Sequence, residues 1–227
     1  MRLRLPLRRP AALALAAALA ASAAGCGSGG DDWSDPRPAP SAIGTLQPGF
    51  VDPSAPPSPE ATITPRPGSW DDVHPSAGYR VALLRAGNDA PTETLAAAVR
   101  DWADAEEASL RTITLSDGDD PAAGAERAMA MKPDLIICIG HDLIDPLVTV
   151  TAHYLDQQFL VIGAELAEPT GNVTAADWAG ASFRGEGLGM SSGYDPASFT
   201  PERAGRAVRA GVAAVLTGWR GIVVWID

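Results

Sequence analysis

The run Asp134-Leu135-Ile136-Ile137-Cys138-Ile139-Gly140 limits the folds open to this chain more than any other stretch. Its apolar residues are continuous, with neither helical spacing nor the alternation of a half-exposed strand. A strand buried on both faces, inside a parallel sheet covered by helices, fits such a run. The flanks repeat the theme. Arg80-Val81-Ala82-Leu83-Leu84 reads as a strand ending at Ala86-Gly87-Asn88-Asp89. A helical pattern follows, with Pro91 and Glu93 in its first turn and Leu95, Val99, Trp102 and Ala103 on one face. Leu110 to Leu115 predicts a strand closed by Ser116-Asp117-Gly118-Asp119, and Asp120-Pro121 opens a helix that Lys132-Pro133 stops. After Gly140, Asp142 is expected to cap a third helix carrying Leu143, Leu147, Val148, Val150 and Tyr154. Phe159-Leu160-Val161-Ile162-Gly163 and Asn172-Val173-Thr174 give two more strands.

Beyond a Gly-rich stretch at 180–196, Thr200-Pro201 starts a last helix that Gly218 ends, and 221–226 forms a final strand. Strands alternating with helices at this spacing predict βαβ units. The expected fold is α/β: a doubly wound, mostly parallel sheet in a single three-layer α-β-α lobe over 77–227.

The N-terminus has a different texture. Arg2, Arg4, Arg8 and Arg9 precede an Ala/Leu run at 11–24, the length of a signal-peptide core and too short to span a bilayer. Ser22-Ala23-Ala24-Gly25-Cys26 then resembles a bacterial lipobox, with Ala23 where a leucine is usual. Residues 1–25 are therefore expected to be a lipoprotein signal peptide, and Cys26 the acylated residue that holds the protein on the extracytoplasmic face of the cell membrane. An ordinary signal peptide cut nearby is the alternative. Residues 26–76 are rich in Pro, Gly, Ser and Asp and carry no apolar period. That composition predicts an extended, solvated tether.

Charge narrows the partners. The chain carries a formal net charge of −11, and four of its arginines lie in the signal segment. An acidic domain is unsuited to nucleic acid, which requires clustered Lys and Arg, and a membrane attachment must come from lipid rather than a basic patch. Cys138 has no disulfide partner once Cys26 is acylated, and it sits in an apolar run as a buried thiol. His74, His141 and His153 are scattered. Neither metal nor cofactor is expected.

In parallel sheets, ligands bind beyond the carboxyl ends of the strands near the point where strand order reverses. Here those ends are Gly87-Asn88-Asp89, Ser116-Asp117-Gly118, Gly140-His141-Asp142 and Gly163-Ala164-Glu165. Asn88, Asp89, Gly140, His141 and Asp142 are the candidate ligand-binding residues. Turns and helix caps also use Gly, Asn and Asp, which leaves His141 as the most telling, since a cap needs no imidazole beside it. Gly189-Met190-Ser191-Ser192-Gly193 matches a hydrolase nucleophile elbow. The strand and helix that motif needs are missing around it, and no histidine follows His153. Gly185, Gly187 and Gly189 lack the last glycine of a dinucleotide fingerprint, with Met190 in its place. No catalytic residues are expected.

Asp134–Gly140, His153-Tyr154, Phe159–Gly163 and Asn172-Val173 together resemble the first lobe of type I periplasmic binding proteins. Among these the order is most similar to the basic membrane protein family of ABC-importer substrate-binding lipoproteins, over about 77–180. The resemblance implies a strand order near 2-1-3-4-5 and a non-enzymatic solute-binding lipoprotein with a small-molecule, nucleoside-like ligand, an ABC permease as partner, or a second copy of the chain completing the cleft. The family's acidic, Lys- and Asn-containing ligand loop is absent, and Gly87-Asn88-Asp89-Ala90-Pro91-Thr92 stands there, so its purine chemistry does not carry over. The alternative is an envelope interaction or sensory lipoprotein that keeps one such lobe.

Overall fold

The computed structural model describes residues 33–34, 36–190 and 192–227. The lipidation site expected at Cys26 and the elbow serine Ser191 lie outside them. Seven strands form one parallel sheet in the order β2-β9-β8-β7-β6-β4-β5. These are β2 (Thr62–Ile63), β4 (Arg80–Ala86), β5 (Ser109–Leu115), β6 (Leu135–Ile139), β7 (Phe159–Ile162), β8 (Val173–Asp177) and β9 (Val223–Trp225). A small antiparallel pair joins β1 (Ala42–Ile43) to β3 (His74–Pro75). Read from β4 onward, the sheet runs in the expected 2-1-3-4-5 order, extended by β9 and β2.

Every residue of β4, β6, β7 and β8 is buried. Such strands require apolar cover on both faces. Helices α1 (Ala90–Ala105) and α4 (Pro201–Leu216) cover one face, packing Leu95, Val99, Val208 and Val212 with Leu83, Ile137 and Leu160. Helices α2 (Pro121–Ala130) and α3 (Ile144–His153) cover the other, joining Leu147 and Val150 to Leu84, Ile136 and Cys138. Gly211 lets α4 lie close on the sheet, because a Cβ there would meet the Leu160 side chain at 2.7 Å. Side-chain caps start three helices: Asp89 accepts from the Thr92 amide, Asp120 from Ala122 and Thr200 from Arg203.

Two expectations change. Asp142 does not cap α3. Gly140, at φ +105°, turns the chain first into a 3-10 turn over His141–Leu143, and Leu143 precedes α3 with no side-chain cap.

The described part of the expected tether is not a solvated chain either. Trp33, Phe50, Trp70 and Val73 are buried, and the last three join the α1/α4 core. The Phe50 and Trp70 rings meet edge-on at 6.4 Å. Strand β2 pairs with β9 as an edge strand, and Arg37 forms a 2.6 Å ion pair with Asp134. Prolines exclude a helical period without preventing burial. Each large aromatic brings roughly 150–250 Å² of surface to hide, which anchors an otherwise irregular segment.

Candidate functional site

Strand order reverses at β4, which pairs with β5 on one side and β6 on the other. A cavity of about 210 Å³ opens at that point, beyond the carboxyl ends of β4, β6 and β7. The β4–α1 turn contributes Gly87, Asp89, Pro91 and Thr92 to its wall; the β6 end contributes Gly140, His141 and Asp142; the β7 end contributes Ile162 and Gly163. Tyr194 and Phe199, from the segment before α4, complete it. Glycines set the geometry: a Cβ on Gly140 would overlap the Ala86 carbonyl oxygen, and one on Gly163 would meet Phe199 at 2.8 Å.

His141 is the centre of an aromatic cluster. Its ring stacks on Phe183 with centroids 4.4 Å apart and meets Tyr194 edge-on at 5.1 Å. Tyr194 in turn packs against Phe199 at 6.0 Å, and Phe199 against Trp178 at 5.0 Å. Burial holds the His141 imidazole below its usual pKa, against the opposing pull of Asp89 and Asp142, a hydrogen bond to Gly163 and the charge of Asp177. Burial thus favours the neutral ring, a polar group able to orient a ligand. Burial also raises the Tyr194 hydroxyl, and the carboxylate of Asp89 adds to that shift.

Behind this cluster lies a buried carboxyl pair. Asp177, at the end of β8, is fully enclosed and accepts a 3.0 Å hydrogen bond from the Ser182 amide. Its second oxygen has no other donor. Burial raises Glu165 to about 7, helped by its hydrogen bond to Asp177 and by the Asp177 charge, and opposed by Arg184. Burial raises the Asp177 carboxyl as well, so the pair retains a proton where free carboxyls would release it. The pair braces the cavity, since Ser182 adjoins Phe183, which backs His141, and the Glu165 amide donates to the Phe183 carbonyl.

The structure brings Asp89, Gly140, His141 and Asp142 to one cavity, and leaves Asn88 exposed outside its wall. No local pattern marks Tyr194 and Phe199 as wall residues: Tyr194 stands within the Gly-rich stretch at 180–196 and Phe199 just beyond it. That stretch is tied down where it matters, by Gly180 N–H to Ser192 Oγ at 2.8 Å and Asp195 N–H to the Gly180 carbonyl at 2.8 Å. A wider apolar groove of about 860 Å³ lies between residues 46–64 and Trp219. Its wall is largely proline and apolar side chains, with Gln47, Asp52, Thr62 and Thr64 as polar members, and it is more open to solvent than the strand-end cavity. Among the described residues, no group of His, Cys, Asp and Glu is placed to hold a metal, and no helix is long and apolar enough to cross a membrane.

No family model and no curated protein matches the chain. Among solved structures, the chain is similar to an ABC transporter solute-binding protein of Aeropyrum pernix K1. That match has 19% identity and a TM-score of 0.40, over 44% of this chain and 29% of that one. A second solute-binding protein, from Conexibacter woesei DSM 14684, shows 17% identity and a TM-score of 0.37, over 44% of this chain and 35% of that one. A fragment described as a candidate lipoprotein, from Peptoclostridium difficile 630, shows 17% identity and a TM-score of 0.44, over 61% of this chain and 98% of that one. This chain thus spans well under half the length of either solute-binding protein. The likeness reaches no further than the α/β layering, and function has to be read from the cavity.

Proposed function

We propose that the chain is an extracytoplasmic solute-binding lipoprotein, anchored through acylated Cys26, that holds a small molecule at its strand ends without transforming it. One observation carries this reading: three successive strand-end turns and two aromatic side chains enclose a cavity at the point where strand order reverses. Asp89, His141 and Asp142 would orient the ligand by hydrogen bonds, Gly140 would allow its close approach, and Tyr194 and Phe199 would cover it. Partnership with an ABC permease, or with a second copy that closes the open side, belongs to the same reading. The test is a thermal-shift panel of nucleosides, sugars, amino acids and small amines on the full chain. A saturable stabilisation that His141→Ala removes supports the proposal, and no stabilisation by any of them counts against it.

The groove beside Phe50 and Trp219 favours a second reading, an envelope interaction or sensory lobe. A panel with no stabilising solute would leave that reading the stronger.

A further inference from the structure

We propose that the strand-end cavity selects small organic cations, such as quaternary or primary amines, over anions and neutral solutes. This rests on the solute-binding reading above and adds the charge class of the ligand.

Charge on the wall is of one sign. Asp89 and Asp142 line the cavity, and no lysine or arginine does. The charged groups acting on His141 are Asp89, Asp142 and Asp177, all carboxylates, and Asp89 is the one acting on Tyr194. Arg85 reaches the outside of the β4–α1 turn, where it donates to the Gly87 carbonyl at 3.0 Å. It is already committed to Glu93 at 2.6 Å.

A helix N-terminus could have drawn an anion, and α1 begins at the cavity. That end is answered within the chain, because Asp89 accepts from the Thr92 amide at 2.8 Å. A ligand carboxylate or phosphate would therefore meet Asp89 and Asp142 with no exposed donor end to compensate.

The remaining wall suits a cation. Tyr194 and Phe199 both line the cavity, and their rings meet edge-on at 62° with centroids 6.0 Å apart. Ring faces carry negative electrostatic potential, and a desolvated ammonium over them gains about 0.5–2 kcal/mol. Leu95, Pro91 and Ile162 supply apolar contact for methyl or methylene groups. A volume of about 210 Å³ admits a compact molecule rather than a nucleotide.

The test is calorimetric titration of the full chain with choline, and with 3,3-dimethylbutan-1-ol, its uncharged isostere. Choline should bind at least about fivefold tighter than the isostere. Asp142→Asn, a change at an exposed side chain, should weaken choline by about fivefold, and Tyr194→Ala by about threefold to tenfold. Asp142→Asn should keep the melting temperature of the parent. Equal binding of choline and isostere, or choline binding indifferent to both substitutions, overturns the proposal. If ribose, uridine or glycine binds in a His141-dependent way and choline does not, the cation preference falls and the solute-binding reading stands. If none of these probes binds, both fall.

Discussion

Gly140 lies so close to Ala86 that a Cβ on it would overlap the Ala86 carbonyl oxygen. The contact brings the ends of β6 and β4 together and makes the floor of the cavity from main chain. At φ +105°, position 140 also strains any residue with a side chain. Gly140→Ala is therefore expected to lose about 3 kcal/mol or more through clash and backbone strain together. Urea unfolding of the two proteins checks it; a loss under about 1 kcal/mol would show that the turn can relax and that the floor is not fixed by this contact.

The segment before β4 should behave as part of the folded lobe. Phe50→Ala or Trp70→Ala removes a buried ring from the α1/α4 core and is expected to cost about 3–5 kcal/mol. Limited proteolysis gives a second readout: residues 42–75 should resist cleavage until the lobe unfolds. Early cutting there, with the remainder keeping its melting temperature, would restore the solvated tether.

Those residues show where sequence reading stopped. Layering and the helix starts at Asp120-Pro121 and Thr200-Pro201 followed from local pattern, because buried parallel strands and helix starts are written in adjacent residues, while the 2-1-3-4-5 order followed from the binding-protein resemblance. Phe50, Trp70, Tyr194 and Phe199 have no such grammar. Each is an isolated aromatic in a Pro- or Gly-rich stretch, and its place is set by contacts with residues far along the chain. Asp142 shows the reverse error: a good cap residue next to a helix, displaced by the tight turn that Gly140 imposes. Asn88, one residue before Asp89, is exposed and is not part of the cavity wall.

The Glu165–Asp177 pair gives a pH dependence whose sign is fixed. Folding raises Glu165 from an ordinary carboxyl value of 4.5 to about 7, so the folded state holds a proton the unfolded chain has released. Stability should be unaffected by this group below about pH 4.5, fall as pH rises towards about 7, and level off above it. Glu165→Gln keeps a donor towards Asp177 and removes the titration. Its melting temperature should vary less between pH 5 and 8 than that of the parent, and equal slopes would place the proton elsewhere.

Cys138 should be chemically silent in the folded protein. It lies on β6 with 1% exposure, and burial pushes its thiol far above the usual range. Neither reaction with a thiol-specific aromatic disulfide nor maleimide labelling is expected before unfolding, whereas prompt stoichiometric labelling would mean that the central strand opens.

The claim on which the rest depends is that a small molecule sits where β4, β6 and β7 end. Amide chemical-shift mapping by NMR on the full chain, with any solute that stabilises it, tests this most directly. Perturbations confined to 87–92, 140–142, 162–163 and 194–199 are the expected result. Shifts centred instead on 46–64 and Trp219, with the strand ends unmoved, would contradict it.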